Sequence, residues 1–173
     1  MKYKKKIISF VFILMVCVAL VSGFLVYRDR TAVYEYNEKN SIAMGTVVTQ
    51  KIYGEKTAKH ISSVTGIINA LESLISWRDG NSAVSELNEK GTVSNSRLSD
   101  IISQCKKVSG DSEGKFDITV GEVSQLWSIG EENERIPEKA EISSALKNVS
   151  YENLKIEGDK ITLLSECKVD LGA

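Results

Sequence analysis

The most pronounced pattern in the chain is at its N-terminus, where Ile7–Tyr27 runs for 21 residues without a charged side chain. A helix needs about 20 apolar residues to cross a bilayer. Four lysines lie within residues 2–6 and only two arginines follow the run closely, so the positive charge favours a cytoplasmic N-terminus. We therefore expect residues 1–30 to be a signal anchor or signal peptide, and the remainder to function outside the cytoplasmic membrane.

Three fates of this segment stay open. Val21–Gly23 offers a mediocre signal peptidase site, and Cys17 is a possible lipidation site that lacks the small residue expected before it. An uncleaved anchor, a cleaved signal peptide and a lipoprotein all export the same domain.

The next pattern divides the remainder into a spacer and a domain. Residues 31–40 are polar and predict a linker, and residues 41–173 predict one domain of ordinary size. Within it, Ile42–Tyr53 is rich in β-branched residues and predicts a strand, with Gly45 as a bulge or a point of close ligand approach. Apolar residues then recur at spacings of three and four from Thr57 to Ser76, which predicts a helix.

Further elements are predicted from their boundary residues. A helix capped by Ser82 turns Val84 and Leu87 inward, and the next helix is capped by Ser96 and closes at Gly110. A third helix begins near Pro137 and extends to about Val149, with Glu138 and Glu141 at its positive end. Residues 154–157 and 160–163 flank Gly158-Asp159 as a hairpin. This succession predicts an α+β fold in which helices pack on a mixed sheet.

Composition and charge exclude some functions. The chain is 42% hydrophobic and 26% charged with a net charge of -1, so no basic field favours nucleic acid. Cys105 lies in an apolar helical stripe, which favours a buried thiol over a disulfide with Cys167. The single histidine, His60, lies on the polar side of its predicted helix and is interpreted as a solvated residue.

Candidate chemistry is confined to three short stretches, because the sequence has no nucleophile elbow, P-loop or zinc-ligand spacing. A glycine interrupts a strand at Met44–Thr46. Asp117 and Asp170 each sit between apolar neighbours, where a carboxylate is costly to bury without a partner. Taken alone, each stretch is also compatible with a turn, a cap or a surface carboxylate.

Considered in order, these stretches belong to a longer series of motifs. The series is Met44-Gly45-Thr46, Leu74–Arg78 with Ser82 and Leu87-Asn88, Phe116-Asp117 with Thr119–Gly121, Leu126-Trp127, Ile136-Pro137, and Val169–Ala173. With these motifs the chain resembles the N-terminal half of the ApbE family of FAD:protein FMN transferases, over about Ser41 to Ala173.

The resemblance implies an activity and its partners. Family members bind FAD and Mg2+ outside the cytoplasmic membrane and transfer FMN to a threonine hydroxyl of an acceptor protein, releasing AMP. The implied partners are FAD, an acceptor flavoprotein of the membrane or cell surface, and the membrane itself through the N-terminal segment. Two alternatives stay open: magnesium-dependent hydrolysis of FAD to FMN and AMP, and an exported flavin-binding protein without enzymatic activity.

The resemblance also implies site residues. The cofactor contacts are expected at Met44, Arg78, Lys115, Phe116, Asp117 and Asp170, and a metal ligand at the backbone carbonyl of Ala173. Arg78 falls where some members carry a tyrosine against the flavin, although a guanidinium can also stack on a ring. The family continues beyond this point with a second half that carries the catalytic threonine and histidine and another metal-binding carboxylate. We therefore expect this polypeptide alone not to transfer FMN.

Overall fold

The computed structural model describes residues 2–31 and 36–172. These residues form two compact units. The first comprises the described residues up to Glu38 together with Lys51–Thr57, and the second comprises Lys39–Gln50 together with the described residues from Ala58 onward.

The first unit contains helix α1, Lys2–Thr31, which covers the segment predicted to enter a membrane. Of the helices whose residues the structure describes, none combines the length and the hydropathy that crossing a membrane requires. Elsewhere in this unit, the Tyr36 and Tyr53 rings lie 5.4 Å apart and the Lys51 ammonium sits 3.9 Å from the centre of the Tyr36 ring.

The remaining elements alternate between helices and short strands. Five helices follow α1: α2 Thr57–Ile75, α3 Ala83–Lys90, α4 Ser96–Asp111, α5 Gly121–Trp127 and α6 Lys139–Ala145. The strands are β1 Tyr36–Ala43, β2 Thr46–Tyr53, β3 Thr92–Ser94, β4 Leu154–Glu157 and β5 Lys160–Leu163. The α+β prediction is confirmed.

The strand predicted over residues 42–53 is in fact a hairpin. β1 and β2 form a two-stranded sheet, and Met44 and Gly45 make the turn between them with φ of 51° and 67°. Left-handed backbone at both central residues suits a tight hairpin turn, because its twist matches that of the strands. Of the linker predicted over residues 31–40, Tyr36–Asn40 belong to β1, and residues 32–35 lie outside the described residues.

The helix predictions hold with small shifts. α2 ends one residue earlier than predicted, and Ser82 caps α3 by accepting a hydrogen bond from the Ser85 N–H at 2.9 Å, with Val84 and Leu87 buried. The cap of α4 is Asn95 rather than Ser96. Asn95 has extended backbone and its side chain accepts from the Leu98 N–H at 2.9 Å, a role for which Asn is as suitable as Ser.

The predicted hairpin β4–β5 is confirmed and gains a third strand. β5 is central and pairs antiparallel with both β3 and β4, so Ile161 lies beside Val93 on one side and Ile156 on the other. The named strands of this sheet are all antiparallel, and a single parallel bridge joins Val120 to Lys168. The core has fully buried side chains from α3, α4, β4, β5 and the segment that follows β5: Val84, Leu87, Leu98, Ile102, Leu154, Ile161 and Val169.

The β-prone segment Phe116–Gly121 forms no strand, apart from the isolated bridge at Val120. Asp117 accepts a hydrogen bond from the Thr119 N–H two residues later, a local turn that competes with a strand ladder. Gly121 instead begins α5, and its N–H donates to the Lys168 carbonyl at 2.9 Å. The helix predicted to Val149 ends at Ala145 and continues as a 3₁₀ turn, Leu146–Asn148.

The cysteine and histidine predictions agree with the structure. Cys105 and Cys167 are free thiols, and burial raises the pKa of both. His60 is exposed on α2.

Candidate functional site: a cleft beside the Met44–Gly45 turn

An open cleft of about 840 Å³ lies in the second unit. Its walls come from the Met44–Gly45 turn, the last turns of α2, the loop after α2 and the loop after α5, and Gly172 closes one side. Small-molecule sites typically occupy about 300–1,000 Å³. The cleft is therefore large enough to hold a cofactor-sized ligand.

The turn at one wall is strained and is held from outside. Met44 is not glycine, yet it adopts left-handed backbone, which costs about 1–2 kcal/mol for an ordinary residue. Its N–H donates to Glu72 Oε1 of α2 at 2.8 Å, and its side chain packs against the core. The Glu72 contact and the packing together fix this wall.

The polar face of α2 supplies a second wall. Asn69, Glu72, Ser73 and Ser76 recur at spacings of three and four residues, so they lie on one side of the helix and all line the cleft. None of the four was predicted as a site residue, although Ser76 lies in the Leu74–Arg78 motif. The signal was present as a polar stripe of helical period beside the apolar one.

Arg78 lies on the loop after α2 and is oriented by two neighbours. Its Nε donates to Glu131 Oε1 at 3.1 Å, and its guanidinium carbon is 4.4 Å from the centre of the Trp77 ring. About half of the Arg78 side chain is exposed, so solvent weakens the ion pair. These contacts place the guanidinium on the cleft wall.

The cleft is electronegative on balance. Its lining residues include one guanidinium, that of Arg78, and three carboxylates, those of Glu72, Asp79 and Glu131. In the part of the chain that the structure describes, no group of three His, Cys, Asp or Glu side chains could hold a metal ion. Ala173, the predicted metal ligand, lies outside the described residues.

Asp170 lies beside the cleft. Its N–H donates to the Ile118 carbonyl at 2.8 Å, and its Oδ1 accepts from the Gly172 N–H at 2.7 Å. Gly172 lines the cleft and has φ of 78°, a conformation that glycine adopts without strain. The Asp170 carboxylate thus shapes the turn that brings Gly172 to the wall.

Asp117 is engaged with its own chain. Oδ1 accepts from the Thr119 N–H at 2.8 Å and from the Thr119 hydroxyl at 2.6 Å, and Oδ2 accepts from the Tyr151 N–H at 2.7 Å. Lys115 and Phe116 precede it on an exposed loop, and neither they nor Asp117 line the cleft. Of the six predicted cofactor contacts, the structure brings Met44 and Arg78 to the cleft and Asp170 to its edge.

The structure thus defines an α+β domain with a cleft walled by a left-handed turn, a polar helix face and an oriented arginine. The model of the ApbE family matches residues 44–173, which is more than half of the chain. The chain therefore belongs to the ApbE family. A comparison with curated protein sequences found no match.

Solved structures share this fold. The chain resembles the ApbE protein of Thermotoga maritima with a TM-score of 0.75 and 24% identity, over 80% of this chain and 48% of that one. It resembles the flavin transferase ApbE of Vibrio cholerae with a TM-score of 0.69 and 21% identity, over 80% and 48%. It resembles the apo form of the flavinyl transferase ApbE of Pseudomonas stutzeri with a TM-score of 0.64 and 23% identity, over 79% of this chain and 49% of that one. The chain spans about half the length of each.

Proposed function

We propose that the chain binds FAD in this cleft as part of an FAD:protein FMN transferase. The enzyme would move FMN from FAD to a threonine hydroxyl of an acceptor protein and release AMP, outside the cytoplasmic membrane as the N-terminal pattern predicts. One observation carries the proposal: Met44 and Arg78, far apart in the chain, line the same cleft in a member of the ApbE family.

The residues of the cleft have distinct roles in this proposal. Met44 offers an apolar, polarizable side chain to the flavin ring. Arg78 offers a planar guanidinium that can stack on the flavin ring or form bidentate hydrogen bonds with a phosphate. Its contacts with Glu131 and Trp77 orient it before the ligand arrives, which lowers the entropy lost on binding.

The magnesium requirement rests on the resemblance, because the described residues hold no cluster of three metal-ligating side chains. A bound Mg2+ would neutralise charge on the pyrophosphate. An excess of carboxylates around Arg78 is unfavourable for a bare pyrophosphate, so we expect FAD to bind more tightly when Mg2+ is present.

Binding is tested by titrating FAD into the purified chain, with and without Mg2+, and following the quenching of flavin fluorescence. Arg78→Ala should raise the Kd about tenfold, since a hydrogen bond to a charged group contributes about 1.5–3 kcal/mol. The matched control is Arg97→Ala, on an exposed part of α4, which should leave the Kd unchanged. A wild-type chain that binds no FAD would contradict the proposal.

Transfer is tested on a polypeptide that carries this chain together with the second half of an ApbE family domain. It is incubated with FAD, Mg2+ and a threonine-bearing acceptor, and covalent flavin on the denatured acceptor is read by in-gel fluorescence. Free FMN in the absence of an acceptor would indicate hydrolysis instead. FAD binding that is independent of Mg2+ and yields neither product would indicate a flavin-binding protein. For the 173-residue chain alone we predict no covalent flavin.

A further inference from the structure

We propose that Glu72 is a positioning residue of the FAD site, which holds the Met44–Gly45 turn in the geometry that faces the ligand. The inference rests on the proposed function, because it assigns a role within the same cleft. It concerns a residue that neither the motifs nor the periodicity of apolar residues selected.

The turn needs an external support. Both central residues of the hairpin have positive φ, where asparagine, aspartate and glycine are the usual occupants. Methionine has no polar group to stabilise that conformation. Met44 therefore stays in place through contacts that the rest of the domain supplies.

Glu72 supplies the polar contact. Its Oε1 accepts the Met44 N–H at 2.8 Å, across 28 residues of sequence, and the glutamate is half-buried. A hydrogen bond to a carboxylate is stronger than one between neutral groups. The contact therefore holds the backbone N–H of Met44, the residue that has the left-handed conformation.

The helix that carries Glu72 is itself anchored. Leu71, Leu74 and Ile75 of α2 pack into the hydrophobic core, while Glu72 points to the cleft side and lines it. Glu72 thus ties the turn to a helix anchored in the core, in addition to the packing of the Met44 side chain itself. Loss of the Glu72 side chain should release the turn without dismantling the helix.

The strain at Met44 allows stability and FAD binding to be tested separately by a substitution at this position. If the site needs the methionine side chain in this turn, Met44→Asn should weaken FAD binding. The melting temperature should change little, because the ease with which asparagine adopts positive φ offsets the packing that is lost. A residue with a purely structural role would shift stability and binding in the same direction.

The experiment compares Glu72→Ala, Glu72→Gln and the control Glu152→Ala, an exposed glutamate outside the cleft. Amide hydrogen exchange at Met44 and the Kd for FAD are measured on each, with circular dichroism to establish that the variant is folded. Glu72→Ala should speed exchange at Met44 and raise the Kd, each about tenfold, as expected for loss of a charge-assisted hydrogen bond. Glu72→Gln keeps an acceptor, so its exchange rate at Met44 and its Kd for FAD should both stay close to the wild-type values. Glu152→Ala should change neither the exchange rate nor the Kd.

Amide exchange at Met44 and the Kd for FAD test the positioning role of Glu72 separately from FAD binding by the chain. Unchanged exchange at Met44 in folded Glu72→Ala would overturn the positioning role whether or not FAD binds. Faster exchange with an unchanged Kd would show that the turn is no part of the site, which also overturns it. A wild-type chain with a protected Met44 amide and no affinity for FAD would instead overturn the proposed function.

Discussion

The side chain of Asn88 forms hydrogen bonds with both the backbone C=O and the backbone N–H of Val169. Its Nδ2 donates to the Val169 carbonyl at 2.8 Å, and the Val169 N–H donates to its Oδ1 at 2.7 Å. The side chain thus imitates a neighbouring strand for one residue. It fixes the segment that leads through Asp170 to Gly172 at the cleft.

Asn88→Ala should destabilise the chain by about 2–4 kcal/mol, because two buried backbone groups lose their partner. Urea unfolding measures the loss. Lys90→Ala on the same helix removes only an exposed ion pair with Glu86, so it should stay within about 0.5 kcal/mol of wild type. Equal effects of the two variants would contradict the role assigned to Asn88.

Gly121→Ala should also destabilise, for a steric reason. A Cβ at this position would lie 2.7 Å from the Lys168 carbonyl oxygen, and the backbone must move to admit it. Gly66→Ala in α2 is the matched control, since nothing lies within 4 Å of its added Cβ. There the substitution should stabilise by about 0.5–1 kcal/mol. Thermal melts of both variants should shift in opposite directions.

Asp117→Asn tests whether this carboxylate serves the fold. It accepts three hydrogen bonds from Thr119 and Tyr151, and an amide can accept on only one of its two arms. We expect a loss of about 1–3 kcal/mol in unfolding free energy. Asp111→Asn, on an exposed surface 3.7 Å from Lys107, should cost less than about 1 kcal/mol. A stable Asp117→Asn protein with weakened FAD binding would favour a direct cofactor contact instead.

Glu141 should make stability depend on acid pH. Arg135 and the Glu138 N–H lower the pKa of its carboxyl from 4.5 to about 2. Because the folded pKa is depressed, the stabilisation is present above pH 4.5 and is lost as pH falls toward 2. The free energies of unfolding of wild type and Glu141→Gln, measured in urea, should therefore differ at pH 6 and converge near pH 2. The difference should be small, since the pair is exposed. A gap that persists at pH 2 would contradict the assignment.

The sequence predicted those elements whose signal is local. The spacing of apolar residues in α2 located that helix to within one residue, and Gly158-Asp159 located the β4–β5 turn. The Met44–Gly45 turn was misread because a glycine in a β-rich segment fits a bulge as well as a hairpin. Only the partner strand decides between them, and β1 is polar enough to resemble a linker.

The site was predicted only in part, for a related reason. Met44 and Arg78 carry motif residues and were selected from them. Glu131 lies in an acidic run that looks like solvated surface, and its role comes from the contact with Arg78, 53 residues away. Contacts of this kind depend on tertiary structure and leave no periodic trace in the sequence.

The central position of β5 has a consequence for synthesis at the ribosome. β3 pairs with β5 alone in the sheet that the structure describes, and about 70 residues separate the two strands. β3 and the helices around it therefore emerge long before their partner does. Until Lys160–Leu163 leaves the exit tunnel, the nascent chain carries an unpaired strand edge and an open core, and surfaces of this kind are prone to aggregation.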